Sequence, residues 1–409
     1  MLGFGRVAVI AYLLGTHSLA DSLAVAMGPL DTLNGMLINS MLFAFVPMLT
    51  ARERGERAAL FRKLCWSFVW VFAGISIALM VAAPWLMRLL APGLDAPYFS
   101  KAVTVLRILS LSTLAAGLGA IYCALLYTDR RFAPTAFYQA ALNAFTIIGA
   151  VSLWKLLGVY AFAVGYTAGA CAQLGIVYFA SRGTLARSER ARCDVPWRAI
   201  LSKPAYFVMY ASGLALNITF TRAYATQAGP GMAAALDYCM RGVGVPLVLL
   251  VNPIGNSLLP EIARLRSLGR LRDALRLIDR TIGLAALAAV AMCSFALLFR
   301  TPAIQLMFQR GSFTAESTQL VSAVFLGLAP SLVGWSLIEI TSRTLFALDR
   351  PWPPLTAAAV PVLVNVLLTL RMHSYEPQWI GVGASSGLMA GFVVIFVMAH
   401  LRRKKWLAN

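Results

Sequence analysis

Charge is what this 409-residue chain most lacks: only 12% of its residues are Asp, Glu, Lys or Arg, about half the share in an ordinary soluble domain. The deficit falls on the acids, with 16 Asp and Glu against 35 Lys and Arg, for a formal net charge of +19. Histidine is scarce too, and His17, His373 and His400 lie too far apart in sequence to suggest a ligand set. The cysteines Cys65, Cys123, Cys171, Cys193, Cys239 and Cys293 form no C-x-x-C pair and fall mostly inside apolar runs. They read as small buried hydrophobes, not as disulfides or metal ligands. Walker A, H-E-x-x-H and G-x-S-x-G sequences are absent. No catalytic residue, metal or cofactor is therefore assigned, and any work done must come from a gradient or from downhill flux of the substrate.

What the chain has in excess is apolar sequence. It is 60% hydrophobic with a mean hydropathy of +0.76, and apolar runs recur from end to end. The fold class expected is an all-α integral membrane protein in contact with the lipid bilayer. The basic excess then reads as cytoplasmic arginine that sets orientation, not as a nucleic-acid surface, because no RNP, zinc-finger or helix-turn-helix pattern accompanies it. No cleavable signal peptide is visible, since the first apolar run contains Arg6 and continues into further spans.

Charge, Gly and Pro bound about twelve transmembrane segments, at 1–15, 18–50, 62–90, 101–128, 133–154, 158–181, 203–225, 232–259, 276–299, 316–348, 353–372 and 379–401. The first helix is incomplete, for Leu2 to Gly15 makes only about 21 Å of helix against a ~30 Å hydrocarbon core. Pro29, Pro246 and Pro253 mark expected kinks. Loops after the even-numbered segments, with the C-terminal tail, hold 24 Lys and Arg, whereas the opposite loops hold 6. That asymmetry places both termini in the cytoplasm.

Three stretches recur in order at a spacing of about 213 to 220 residues. "FVPMLTARERGERAALFRK" pairs with "LLPEIARLRSLGRLRDALRL", "APWLMRLLAPGLDA" with "TPAIQLMFQRGSFTAES", and "LLYTDRRFAP" with "TLFALDRPWP". The last pair aligns Asp129-Arg130 with Asp349-Arg350. The expected organisation is two six-helix parallel repeats, a lobe at 1–181 and a lobe at 203–401. A basic cytoplasmic linker at 182–202 joins them, and a basic tail at 402–409 follows. Two bundles of this kind are a transporter architecture with substrate between the halves. The Pro-then-basic stretches read as apolar helices that stop, followed by basic amphipathic segments on the cytoplasmic leaflet.

Arg6, Asp21, Arg107, Arg222, Asp237, Arg241, Glu339 and Arg343 form the set of charges read inside the spans. Such residues face a bundle interior or a wet cavity and pair with each other or with a ligand. Arg241 lies between Asp237 and the small residues Gly242 and Gly244; Arg6 and Asp21 lie on the first two segments of the other half. An arginine from each half facing one cleft would suit an anion, best a diphosphate, because the guanidinium fork matches phosphate oxygens. Arg6, Asp21 and Arg241 are thus the substrate-binding candidates. Arg222 is secondary, read as a snorkelling residue near the outer interface. Glu339 and Arg343, at i and i+4, read as a structural ion pair.

The stretches "LGFGRVAVIAYLLGTHSLADSLAVA", "NSMLFAFVPMLTAR", "YCMRGVGVP", "GNSLLPEIARL", "LMFQRGSFTAEST" and "SRTLFALDRPWPP" resemble the MurJ/MviN family of lipid II flippases, within the MOP exporter superfamily. The resemblance implies two six-helix lobes that alternate between two openings. Its implied partner is a polyprenyl-diphosphate-linked glycan lipid, moved from the cytoplasmic to the periplasmic leaflet of a bacterial inner membrane. By motif, cavity residues of the family fall on Arg6, Asp21 and Arg241. Members carry a further Arg before LGF and two further helices after the twelfth, so the resemblance implies a chain truncated at both ends. Basic residues typical of the second helix are replaced here around Asn34, a second secondary candidate, and an acid after the eighth-helix Arg is replaced by Gly244. Acids of sodium-binding members fall on Thr221, Asn365 and Thr369. The alternatives are an exporter of another lipid-linked oligosaccharide and a non-transporting membrane scaffold of the same fold.

Overall fold

The computed structural model describes residues 2–50, 52–185, 197–348, 350, 352–372 and 376–408. Most of the expected linker, 186–196, and Asp349 of the repeat lie outside the described residues. The helices are α1 (Leu2–Leu14), α2 (Ser18–Thr50), α3 (Arg54–Leu90), α4 (Ala96–Thr128), α5 (Ala133–Leu157), α6 (Tyr160–Leu185), α7 (Trp197–Ala225) and α8 (Met232–Ser267). They continue as α9 (Leu271–Leu298), α10 (Arg300–Phe308), α11 (Ala315–Leu328), α12 (Ser331–Ala347), α13 (Trp352–Met372), α14 (Pro377–Ile380) and α15 (Val382–Ala408). No strand occurs among the described residues. Among the described residues eight helices are long and apolar enough to cross a membrane, and a ninth span arises if α11 and α12, bent by 45°, count as one. α1 is apolar but shorter.

The chain forms two compact units, Met1–Val208 and Met209–Asn409, and the divide falls within α7. In unit 1, α4 is the central helix, with 72% of its apolar window buried, while α3 has only 22% buried and shows Trp66, Trp70 and Trp85 outward. Unit 2 repeats this with a broken central helix, α11–α12, and a lipid-facing α9. The break is local chemistry: Pro330 cannot donate to the helical ladder. Ser385 of α15 donates to the Gly327 carbonyl at 2.7 Å, in the last turn before the break.

Apolar helices gain nothing from leaving lipid for each other, so close packing between small residues holds them together. In unit 1, a Cβ on Gly165 would lie 2.8 Å from the Phe145 carbonyl oxygen, and one on Gly169 would lie 2.9 Å from that of Leu142. In unit 2, Gly383, Gly387 and Gly391 form the same stripe at i, i+4 and i+8 on α15, against Asn365, Pro361 and Ala357 of α13.

Basic ends gather on one side of each unit. Arg57 donates to the Leu49 and Arg52 carbonyls and pairs with Asp129 at 2.9 Å, tying the ends of α2 and α4 to the start of α3. Arg131 donates to the Ala180 carbonyl at the end of α6. In unit 2, Arg403 pairs with Asp279, joining α15 to α9. The repeat shows in the helix ends, where Arg131 N–H bonds the Leu126 carbonyl and Arg350 N–H bonds that of Leu345, both at 2.9 Å. This equates Arg350 with Arg131, one residue from the match read in the sequence.

Two local expectations are corrected. α8 does not stop near residue 259 but continues as helix to Ser267, and α3 begins at Arg54 inside the basic stretch. Basic residues resist burial in lipid, not helix formation, so the spans extend beyond the bilayer as charged turns. On that extension Arg264 donates to Glu261 and holds its carboxyl below the usual range. Pro29, Pro246 and Pro253 lie inside single continuous helices. Among the thiols, Cys123, Cys239 and Cys293 are buried as expected, Cys65 is half-buried and Cys171 is exposed; Cys193 lies outside the described residues.

Gly387→Leu should force α15 off the Pro361 carbonyl and destabilise unit 2 by about 1–3 kcal/mol or more. Gly74→Leu, on an α3 face with nothing within 4 Å, should leave the detergent melting temperature unchanged. Equal melting of both variants would contradict this packing.

Candidate functional site

α1 brings Arg6 to α2, where its guanidinium pairs with Asp31 at 2.6 Å. The other Asp31 carboxylate oxygen accepts a 2.6 Å hydrogen bond from the Tyr166 hydroxyl of α6, and the Arg6 guanidinium lies 5.7 Å from the centre of the Tyr166 ring. Arg6 and Tyr166 are almost wholly buried, so the network joins α1, α2 and α6. The carboxylate in this pair is one the sequence reading passed over: Asp31 sits mid-span, after Pro29. An acid inside an apolar run is itself the signal that could have found it. Asp21, the sequence candidate, is buried near the start of α2. Asn34, one turn beyond Asp31, donates to Ser112 of α4 at 3.3 Å.

Unit 2 handles its charges in the same way. Arg222, on the last turns of α7, is buried and pairs with Asp237 of α8 at 2.7 Å. The snorkelling expected for it is corrected: the short turn after α7 brings α8 back beside it, and the partly buried Asp237 carboxylate replaces water as its partner. Arg241 lies one helical turn past Asp237 and is half-buried. Gly242 beside it packs on α11, where a Cβ would lie 3.2 Å from the Phe325 ring, while Gly244 faces open space. Glu339 and Arg343 pair within α12 at 2.9 Å, and Tyr210 donates to Glu339.

The positions associated by resemblance with sodium form a neutral cluster. Asn365 Nδ2 donates to Thr221 Oγ1 and Asn217 Oδ1, each at 2.8 Å, and Asn365 Oδ1 accepts from Thr369 at 3.1 Å. Asn217 donates onward to the Ala384 carbonyl at 3.3 Å. All four side chains are buried, and a Cβ on Gly383 would collide with Asn365 Oδ1. This set does not fit a carboxylate-type sodium site. It brings no anionic oxygen, and both amide oxygens and the Thr221 hydroxyl oxygen already accept hydrogen bonds. Among the described residues no group of three or more His, Cys, Asp or Glu is arranged to hold a metal.

Asp31→Asn should leave the Arg6 charge poorly compensated. Breaking a buried pair costs ~3–5 kcal/mol, and less here because the Asp31 side chain is 20% exposed. Arg6→Met combined with Asp31→Leu should recover most of the loss in thermal melts; a double variant as unstable as Asp31→Asn would contradict the pairing.

The family described as lipid II flippase MurJ matches residues 10–408. The probable lipid II flippase MurJ of Rhizobium meliloti (strain 1021) is 26% identical over 412 residues, covering 96% of this chain and 76% of the relative. The lipid II flippase MurJ of Burkholderia cenocepacia is 26% identical over 401 residues, covering 91% and 74%. Among solved structures, a lipid II flippase MurJ in an inward closed conformation matches with a TM-score of 0.83 at 19% identity, over 98% of this chain and 85% of that one. An inward-facing multidrug resistance MATE family transporter of the MOP superfamily matches with a TM-score of 0.81 at 16% identity, over 98% and 94%. The two solved structures share this fold, and the family match runs through nearly every helix just described: the chain belongs to the lipid II flippase MurJ family.

Proposed function

We propose that this chain moves lipid II, a polyprenyl-diphosphate-linked peptidoglycan precursor, from the cytoplasmic to the periplasmic leaflet of a bacterial inner membrane by alternating access. The observation that carries the reading is the family match over residues 10–408. The two lobes, 1–181 and 203–401, act as the transport halves, with both termini cytoplasmic. The polyprenyl tail stays in the bilayer while the polar headgroup crosses.

Arg241 is the principal contact to the diphosphate. It stands beside a carboxylate already held by Arg222, so this part of α8 carries a net positive charge suited to an anion. Arg6 is a weaker contact, because Asp31 must share or release it before it can serve a phosphate. Asp21 tunes that competition, and Asn34 offers a neutral amide to the headgroup. Charge on these groups also couples to the membrane potential, at ~2.3 kcal/mol per elementary charge per 100 mV. The pairing of Arg6 with Asp31 favours one second reading, an exporter of another diphosphate-linked glycan that needs less positive charge.

Arg241→Ala should abolish complementation of a flippase-depleted strain, with membrane levels of the protein unchanged; normal growth would count against the assignment. With the Asn365 cluster neutral, lipid II translocation should be the same in sodium and potassium buffers. A severalfold drop without sodium would show that a cation site lies elsewhere.

A further inference from the structure

Unit 2 contains a cavity unlike its charged clusters. It has a volume of about 520 Å³ and lies between α8, α9, α10 and α11. Its walls are apolar, with Pro246 and Leu249 from α8, Phe295 from α9, Phe299 from the junction of α9 and α10, and Phe325 from α11. The volume falls in the ~300–1,000 Å³ range of pockets that hold one small apolar molecule. Phe295 and Phe299 are 64% and 50% exposed, so the cavity opens onto the exposed face of α9, a helix long and apolar enough to cross a membrane.

One charged side chain lines it: Arg300, the first residue of α10. Its Nη1 donates to the Leu297 carbonyl at 3.0 Å, and its Nε is buried with no hydrogen-bond partner among the described residues. Arg300 forms no ion pair among the described residues, in contrast to Arg6, Arg222 and Arg343. A guanidinium against an apolar wall without a counter-charge is a costly arrangement. Tyr238 and Phe308, the latter at the other end of α10, also line the cavity and are buried, with ring centres 5.5 Å apart. An open apolar slot with one uncompensated cation at its rim complements an alkyl chain that carries an anion at one end.

We propose that this cavity binds one anionic phospholipid from the surrounding membrane, with an acyl chain between α8, α9 and α11 and its phosphate on Arg300. The site is separate from the Arg222–Asp237–Arg241 cluster and does not depend on what the chain transports. A zwitterionic lipid brings its own cation beside the phosphate and should bind less well.

Native mass spectrometry of the purified full chain, titrated with phosphatidylglycerol or phosphatidylcholine, tests this. The wild type should retain one phosphatidylglycerol in preference to phosphatidylcholine. Arg300→Gln should weaken that retention about tenfold, the scale of a charge-assisted hydrogen bond. Ala296→Trp, which fills the cavity, should remove retention of both lipids. A phosphatidylglycerol with a diazirine in its tail should label residues 291–299 of the unmodified chain, which keeps the test independent of how well the variants fold. Retention unchanged in both variants would overturn the proposal. So would labelling spread evenly over α3 and α9, or displacement of phosphatidylglycerol by equimolar undecaprenyl phosphate, which would assign the cavity to the transported lipid.

Discussion

A guanidinium cannot sit at membrane depth without a counter-charge or water, and this constraint organises much of the structure. Arg6 finds Asp31, Arg222 finds Asp237, and Arg343 finds Glu339. Each pair also does structural work. The first joins α1 to α2 and, through Tyr166, to α6; the second closes α7 on α8; the third holds Tyr210 of α7 on α12. In lipid, where apolar surface alone gives helices no reason to associate, such polar contacts and the glycine stripes determine which helices touch.

The two units solve this packing problem in parallel and then diverge. Glycines bring α5 against α6 in one and α13 against α15 in the other. Arg131 and Arg350 close their helices with equivalent backbone bonds. The divergence lies in the central helix, continuous as α4 but broken at Pro330 between α11 and α12, and in α10, which helps to wall the apolar cavity. A duplicated scaffold thus keeps the contacts that assemble each unit and varies the places where a ligand can bind.

How much of this was legible in the sequence depended on the distance between interacting residues. The all-helical membrane class and the segment positions were readable, because hydropathy acts along the chain. The Glu339–Arg343 pair was readable because both residues lie on one helix face. Asp31 was missed because pairing with Arg6 depends on how α1 packs against α2, which no local pattern records. Arg222 was misread for the same reason: residue 222 looks interfacial until the turn returns Asp237 to it. The helical extensions past the Pro-basic stretches were hidden because hydropathy reports where lipid ends, not where helix ends. Thr221, Asn365 and Thr369 were singled out through family resemblance, but Asn217, which completes their neutral cluster, carries no charge to attract notice.

The account rests on a polyprenyl-diphosphate headgroup crossing the membrane through this protein. The most direct measurement is made in proteoliposomes containing the purified chain and fluorescent lipid II confined to one leaflet, with an impermeant enzyme that modifies the headgroup added on the other side. The account predicts protein-dependent accessibility of the labelled headgroup, in excess of protein-free vesicles. Accessibility no greater than in protein-free vesicles, from well-folded protein, would contradict it.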